Sequence, residues 1–128
     1  MNSLLIVTSR AEDVSELNEI LRETSWLVTE VSSLDDAAAK LKAAALPIIF
    51  YDRDAAGVCW QETIERLIAA RKGACVVLVS NVADQYLWEE VVQRGGFDLL
   101  PRPFRKDQVL STLAFAHAHL RAPWPSVC

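Results

Sequence analysis

Apolar positions along this chain fall into two rhythms. Short uninterrupted runs, Leu4–Val7, Ile48–Tyr51 and Cys75–Val79, alternate with longer stretches in which apolar residues return every three or four positions. The runs read as strands covered on both faces, and the stretches as helices with one inward face. After the first run, Val14, Leu17, Ile20 and Leu21 predict a helix from about Ala11 to Glu23, with Ser9 and Glu12 spaced as a capping box. Trp26–Val31 is bulky and β-branched but interrupted by Thr29 and Glu30, which suits a strand at the edge of a sheet. Ser33 with Asp36 offers a second capping box ahead of a small-residue helix, Ala37–Ala45.

The second half repeats the alternation. Beyond a loop through Ala55-Ala56-Gly57, the positions Trp60, Ile64, Leu67 and Ile68 predict a third helix closed by Lys72-Gly73. The run Cys75–Val79 ends at Ser80-Asn81, and Leu87, Trp88, Val91 and Val92 predict a helix over Asp84–Arg94 that stops at Gly95-Gly96. A short strand, Phe97–Leu100, and a last amphipathic helix from about Lys106 to Leu120 complete the pattern. Five strand–helix alternations with right-handed crossovers imply an α/β three-layer sandwich, a parallel sheet with helices on both faces. The expected architecture is flavodoxin-like, (βα)5, doubly wound, with strand order 2-1-3-4-5. It fills residues 1–121, and Ala122-Pro123-Trp124-Pro125 opens a tail or linker over 122–128.

Composition narrows the partners. A net charge of -4, from 13 Lys plus Arg against 17 Asp plus Glu without basic runs, argues against direct nucleic-acid binding. No run approaches the roughly 18 apolar residues of a membrane span, and Leu4–Val7 is too short for a signal-peptide core, so a cytoplasmic protein without a membrane partner is expected. Three cysteines, 59, 75 and 128, show neither a disulfide framework nor zinc spacing, and Cys59 and Cys75 read as small hydrophobes. His117 and His119 lie two apart on a helix and cannot form the i, i+4 pair of a zinc helix. Glu12 and Asp13 could be displaced metal ligands, but they fall in a first helical turn, where carboxylates favour the macrodipole, and that is the reading adopted.

Candidate chemistry sits where strands end. Asp52 closes the third strand, Ser80 the fourth and Arg102 follows the fifth, so all three face the crevice outside the carboxyl ends of the sheet. With Leu4–Val7, Ile48–Asp52, Val76–Ser80, Gly95-Gly96 and Arg102-Pro103-Phe104 in this order, the chain resembles the receiver domain of two-component response regulators over nearly its whole length. The resemblance implies that Asp52 stands at the phosphoacceptor position, that Ser80 and Arg102 stand where a hydroxyl and a Lys contact the phosphoryl group, and that Thr8 and Ser9 stand at an acidic pair. It further implies Mg²⁺ held by the acceptor, the acidic pair and the carbonyl of Asp54, and a switch aromatic at the position of Leu99.

Three of these positions depart from the family. The acidic pair is Thr8-Ser9, the Lys is Arg102 and the switch aromatic is Leu99. Mg²⁺ is bound through carboxylates, so neutral hydroxyls weaken its site, and no metal is expected beyond weak candidates at Asp52 and Asp54. Arg102 carries a permanent planar charge suited to locking Asp52 or Asp54 in an ion pair. The expected function is therefore an atypical, non-enzymatic receiver, a pseudo-receiver that serves bacterial phosphorelay signalling as a protein interaction module with weak or no phosphorylation and no cofactor.

Two alternatives stay open. One is a working phosphoacceptor, phosphorylated on Asp52 by a histidine kinase with unconventional metal ligation, for which Mg²⁺ would be needed. The other is a small-ligand-binding flavodoxin-like domain, disfavoured because no glycine-rich phosphate loop follows the first strand. Partners implied are proteins, a histidine kinase or an output domain, or a second copy meeting the fourth helix, fifth strand and fifth helix. Trp88, with Leu99 on that face, is the candidate anchor.

Overall fold

The computed structural model describes residues 2–55 and 59–121. Strands β1 (Asn2–Val7), β2 (Trp26–Glu30), β3 (Ile48–Asp52), β4 (Cys75–Ser80) and β5 (Asp98–Pro101) alternate with helices α1 (Ala11–Ile20), α2 (Leu34–Ala43), α3 (Trp60–Ala70), α4 (Gln85–Gln93) and α5 (Lys106–Arg121). All pairings are parallel, in the order β2-β1-β3-β4-β5. The architecture is the flavodoxin-like one that the alternation predicts. The proposed tail 122–128, with Cys128, and Ala56-Gly57 of the loop after β3 lie outside the described residues.

The continuous apolar runs become the central strands because they are covered twice. Every residue of β3 and β4 is buried, whereas β2 and β5, at the two edges, are mostly half-exposed. Side-chain alternation sorts the strand residues into two cores. Leu5, Val7, Ile49, Tyr51, Val76 and Leu78 face Ala37 and Leu41 of α2, Ile64 and Leu67 of α3, and Leu87 and Val91 of α4. Leu4, Ile6, Ile48, Phe50, Val77 and Val79 face Leu17 of α1 and Val109, Leu113 and Ala116 of α5.

Caps and turns hold the helices in register with this sheet. Ser33 accepts from the Asp36 N–H at 3.1 Å, as its sequence spacing predicts, and Asp84 accepts from the Leu87 N–H at 2.8 Å. The predicted Ser9 cap does not form: the N-cap of α1 is Arg10, without a side-chain bond, and the Ser9 hydroxyl is turned to Asp52. Helix α1 also ends three residues before Glu23, at Ile20. Between α4 and β5, Gly95 has φ +96°, and a Cβ on Gly96 would sit 2.5 Å from Cγ1 and 2.9 Å from the carbonyl oxygen of Val91, so the turn needs both glycines. The Arg102-Pro103 peptide is cis. Among the described residues no helix is long and apolar enough to cross a membrane.

The other cysteine and histidine readings divide. Cys75 is buried, and burial pushes its thiol up to about 11, as expected of a small core residue, but Cys59 is exposed at the start of α3. His117 meets the Trp26 ring edge-on at 6.2 Å and His119 meets Phe97 at 5.6 Å, so both are packing residues.

Candidate functional site: a buried ion triad at the strand ends

Strand parity brings the site together. Asp52 continues the face of Ile48 and Phe50, and Arg102 follows Leu100, so both side chains leave the sheet on the side of α1 and α5. On α1, Asp13 lies one turn before Leu17, and these two are the buried residues of that helix. Three ionic side chains therefore converge where the carboxyl ends of β3 and β5 meet the first turn of α1.

The Arg102 guanidinium binds both carboxylates. Its Nε donates to Asp13 Oδ1 at 3.0 Å and its Nη2 to Asp13 Oδ2 at 2.5 Å, a side-on fork, while Nη2 also lies 3.1 Å from Asp52 Oδ1. The third nitrogen, Nη1, donates to Asn81 Oδ1 at 3.4 Å. Side-chain exposure is 1% for Asp52, 2% for Asp13 and 7% for Arg102, so water screens these charges little.

Neutral donors complete the carboxylates. Asp52 Oδ1 also accepts from the Asp54 N–H at 3.1 Å, and Oδ2 accepts from the Ser9 N–H at 3.4 Å and the Ser9 hydroxyl at 3.3 Å. Thr8 Oγ1 lies 2.6 Å from Asp13 Oδ2 and 3.3 Å from Asp52 Oδ2; its single proton serves the nearer acceptor. The Thr8 oxygen accepts in turn from the Arg10 N–H at 3.0 Å. Among the described residues no buried side-chain nitrogen or oxygen is left without a partner.

Ionisation follows from this geometry. Burial pushes the Asp52 carboxyl up, but the Asp54 N–H, the Arg102 guanidinium and the Ser9 N–H outweigh it and hold the pKa below the usual carboxylate value. The hydrogen bond to Asp13 raises the Arg102 pKa against its burial, helped by Asp52. The site thus holds the Asp52 carboxylate beside the permanent Arg102 cation at neutral pH, with Asp13 in the guanidinium fork.

The sequence-derived candidates fare unequally. Asp52, Arg102, Thr8 and Ser9 are brought together; Ser80 is buried beside them, but its hydroxyl accepts from the Val82 N–H at 3.2 Å. Asp54 joins through its backbone only, its side chain being exposed, so the expected pairing of Arg102 with Asp52 is present and the alternative with Asp54 is not. Asp13 is the residue that the sequence assigned to the helix dipole in preference to a place in the site as a displaced metal ligand. It does occupy the first turn of α1, yet it is the principal partner of Arg102, whereas Glu12 stays exposed near Arg10 at 3.7 Å. Its signal was the i, i+4 relation to Leu17, which places it on the inward stripe.

The residues do not fit the Mg²⁺ that the fold family implies. Magnesium takes oxygen ligands in near-octahedral array at about 2.1 Å. Here every oxygen of both buried carboxylates already accepts from Arg102, Thr8, Ser9 or the Asp54 N–H, and a fixed positive charge lies 3.1 Å from Asp52 Oδ1. Among the described residues no group of three or more His, Cys, Asp or Glu side chains is placed to hold a metal ion.

Comparison with known proteins gives a fold. No family model matches the chain, and no curated protein matches it. Among solved structures, the beryllofluoride-activated NtrC4 receiver domain dimer superposes with a TM-score of 0.81 at 20% identity, over 94% of this chain and 99% of that one. A two-component response regulator from Clostridium difficile gives 0.80 at 12% identity, over 95% and 100%. The chemotaxis protein CheY4 of Vibrio cholerae gives 0.76 at 18% identity, over 91% and 98%. Over more than nine-tenths of its length the chain has the fold of response regulator receiver domains.

Proposed function

We propose that this protein is an atypical receiver domain that acts in bacterial two-component signalling as a protein interaction module, without a phosphorylation cycle at Asp52. The observation that carries the reading is the Arg102 guanidinium held between Asp13 and Asp52, with all three ionic side chains at most 7% exposed. Phosphoryl transfer to a carboxylate needs a free oxygen in line with the donor and cations gathered on the transferring group. Both oxygens of Asp52 are engaged, and its nearest cation is committed to Asp13 as well.

The surface available to a protein lies at the β5 edge. Trp88 and Val92, one turn apart on α4, are 41% and 42% exposed, and Phe115 of α5 stands more exposed still. Phe115, Leu99, Pro101 and Ser111 line a groove of about 290 Å³ between β5 and α5. Exposed aromatic side chains around a groove are the usual anchors of protein recognition. A receiver neighbour that is itself a dimer supports counting a second copy among the occupants, beside a kinase or an output domain.

Intact-protein mass after incubation with a small acyl-phosphate donor, with and without Mg²⁺, tests the proposal. The expected result is no adduct under conditions that label an ordinary receiver domain. A Mg²⁺-dependent adduct that vanishes in Asp52→Ala would overturn it, and would support the alternative of a working phosphoacceptor in which Asp13 supplies the carboxylate missing at Thr8 and Ser9.

A further inference from the structure

We infer that Arg102 is the built-in cation of this site, a covalently tethered substitute that excludes divalent metal ions from the strand-end crevice and makes the domain's folded state independent of them. The inference rests on the receiver-like reading only for where a metal would be sought; its argument is electrostatic.

Two carboxylates buried side by side repel each other and require a counter-charge. That charge can come from a diffusible ion or from a side chain of the protein itself. Here it is supplied by Arg102, 89 positions away from Asp13 in sequence, and held by a fork on Asp13 and a shared nitrogen on Asp52. A guanidinium cannot lose its proton at any accessible pH, and the bonds to Asp13 strengthen its hold further. A divalent ion approaching the same oxygens would meet that charge at close range in a low-dielectric setting, and would have to displace hydrogen bonds from Thr8 and Ser9 as well. It cannot enter unless Arg102 leaves.

The surrounding polar groups fit this role. Neutral hydroxyls at Thr8 and Ser9 leave one cation facing two anions, with the remaining negative charge met by the Ser9 and Asp54 N–H groups and by the first turn of α1. Two further carboxylates at positions 8 and 9 would raise that excess beyond what a single guanidinium can neutralise.

The experiment is Mn²⁺ binding, read from the paramagnetic resonance of the free ion, together with thermal melting in Mg²⁺ and in chelator. Wild-type protein is expected to bind no Mn²⁺ in the millimolar range and to melt at the same temperature in both buffers. Arg102→Gln and Arg102→Ala are expected to melt lower, to gain Mn²⁺ binding and to recover stability in Mg²⁺, and a second change, Asp13→Asn, should remove that gain. Mn²⁺ binding by wild type that is lost in Asp52→Asn would overturn the inference. So would folded Arg102 variants that still bind none, since the guanidinium would then not be what keeps the ion out. Should neither variant fold, the wild-type measurements decide alone. An acyl-phosphate adduct formed in chelator would defeat the proposed function and leave the built-in cation standing; Mn²⁺ binding without any adduct would do the reverse.

Discussion

The strand-end crevice and the β5 edge differ in how far their polar and apolar groups are satisfied by the chain itself. In the crevice, the side chains of Asp13, Asp52 and Arg102 are at most 7% exposed and partner one another, with Thr8, Ser9 and the Asp54 N–H donating to the carboxylates. At the edge, Trp88, Val92 and Phe115 expose large apolar surfaces, and none of them belongs to either core. In a receiver domain that signals by phosphorylation the crevice takes the chemistry and the edge transmits it. On the function proposed above, the crevice is occupied by its own side chains, and the edge is the surface left for another molecule.

The sharpest way to break this contrast is to open the crevice. Arg102→Ala leaves two carboxylates buried together without a counter-charge, and removing one member of a buried ion network typically costs about 3–5 kcal/mol. A urea or thermal melt should show a loss of that size, and should show the larger loss for Arg102→Ala than for Asp52→Asn. The latter still leaves Asp13 and Arg102 as a neutral pair and costs about 1 kcal/mol. Equal losses would mean that Arg102 holds Asp52 rather than Asp13, contrary to the fork geometry.

A smaller effect is expected from acid. The Asp52 pKa is held below its unfolded value, so between the two the unfolded chain binds more protons and stability rises with pH. The contribution of this carboxylate is complete above the ordinary value of about 3.9 and is lost as pH falls through the lower folded value. Melting temperature followed through the acid range should therefore fall less steeply in Asp52→Asn than in wild type. An unchanged slope would place the acid sensitivity on other carboxylates.

Much of this organisation was legible in the chain, and the illegible parts share a cause. Uninterrupted runs such as Ile48–Tyr51 and Cys75–Val79 announce strands covered on both faces, and their alternation with amphipathic stretches fixes the doubly wound topology. Asp52 and Arg102 were legible as strand-end residues. Asp13 was not, although Leu17 marks its stripe as inward, because a carboxylate there makes sense only with a cation 89 residues away, and periodicity within one helix carries no such information. Ser9 failed in the same manner. Its spacing from Glu12 is that of a cap, a purely local signature, and the competing acceptor, Asp52, arrives from a different strand. Cys59 read as an apolar residue by type, yet it is exposed just before α3 begins and its thiol donates to Gln61 Oε1 at 2.7 Å.

The smallest effect on the fold should accompany the largest effect on association. Trp88 stands on the outer side of α4, where Leu87 and Val91 supply the inward contacts, so Trp88→Ala should change stability by no more than about 0.5 kcal/mol. Truncating an aromatic anchor at an interface, by contrast, commonly weakens binding by 2 kcal/mol or more, roughly thirtyfold. Sedimentation of wild type and Trp88→Ala over a range of concentrations, with a melt of each, separates the two. A shift toward monomer at unchanged stability identifies the α4 side of the β5 edge as the contact between copies. Loss of stability would instead make Trp88 a supporting residue of the α4 packing. A wild-type protein that is monomeric at every concentration would rule out contact between copies and turn the edge toward a different protein, while leaving the arrangement of Arg102 in the crevice untouched.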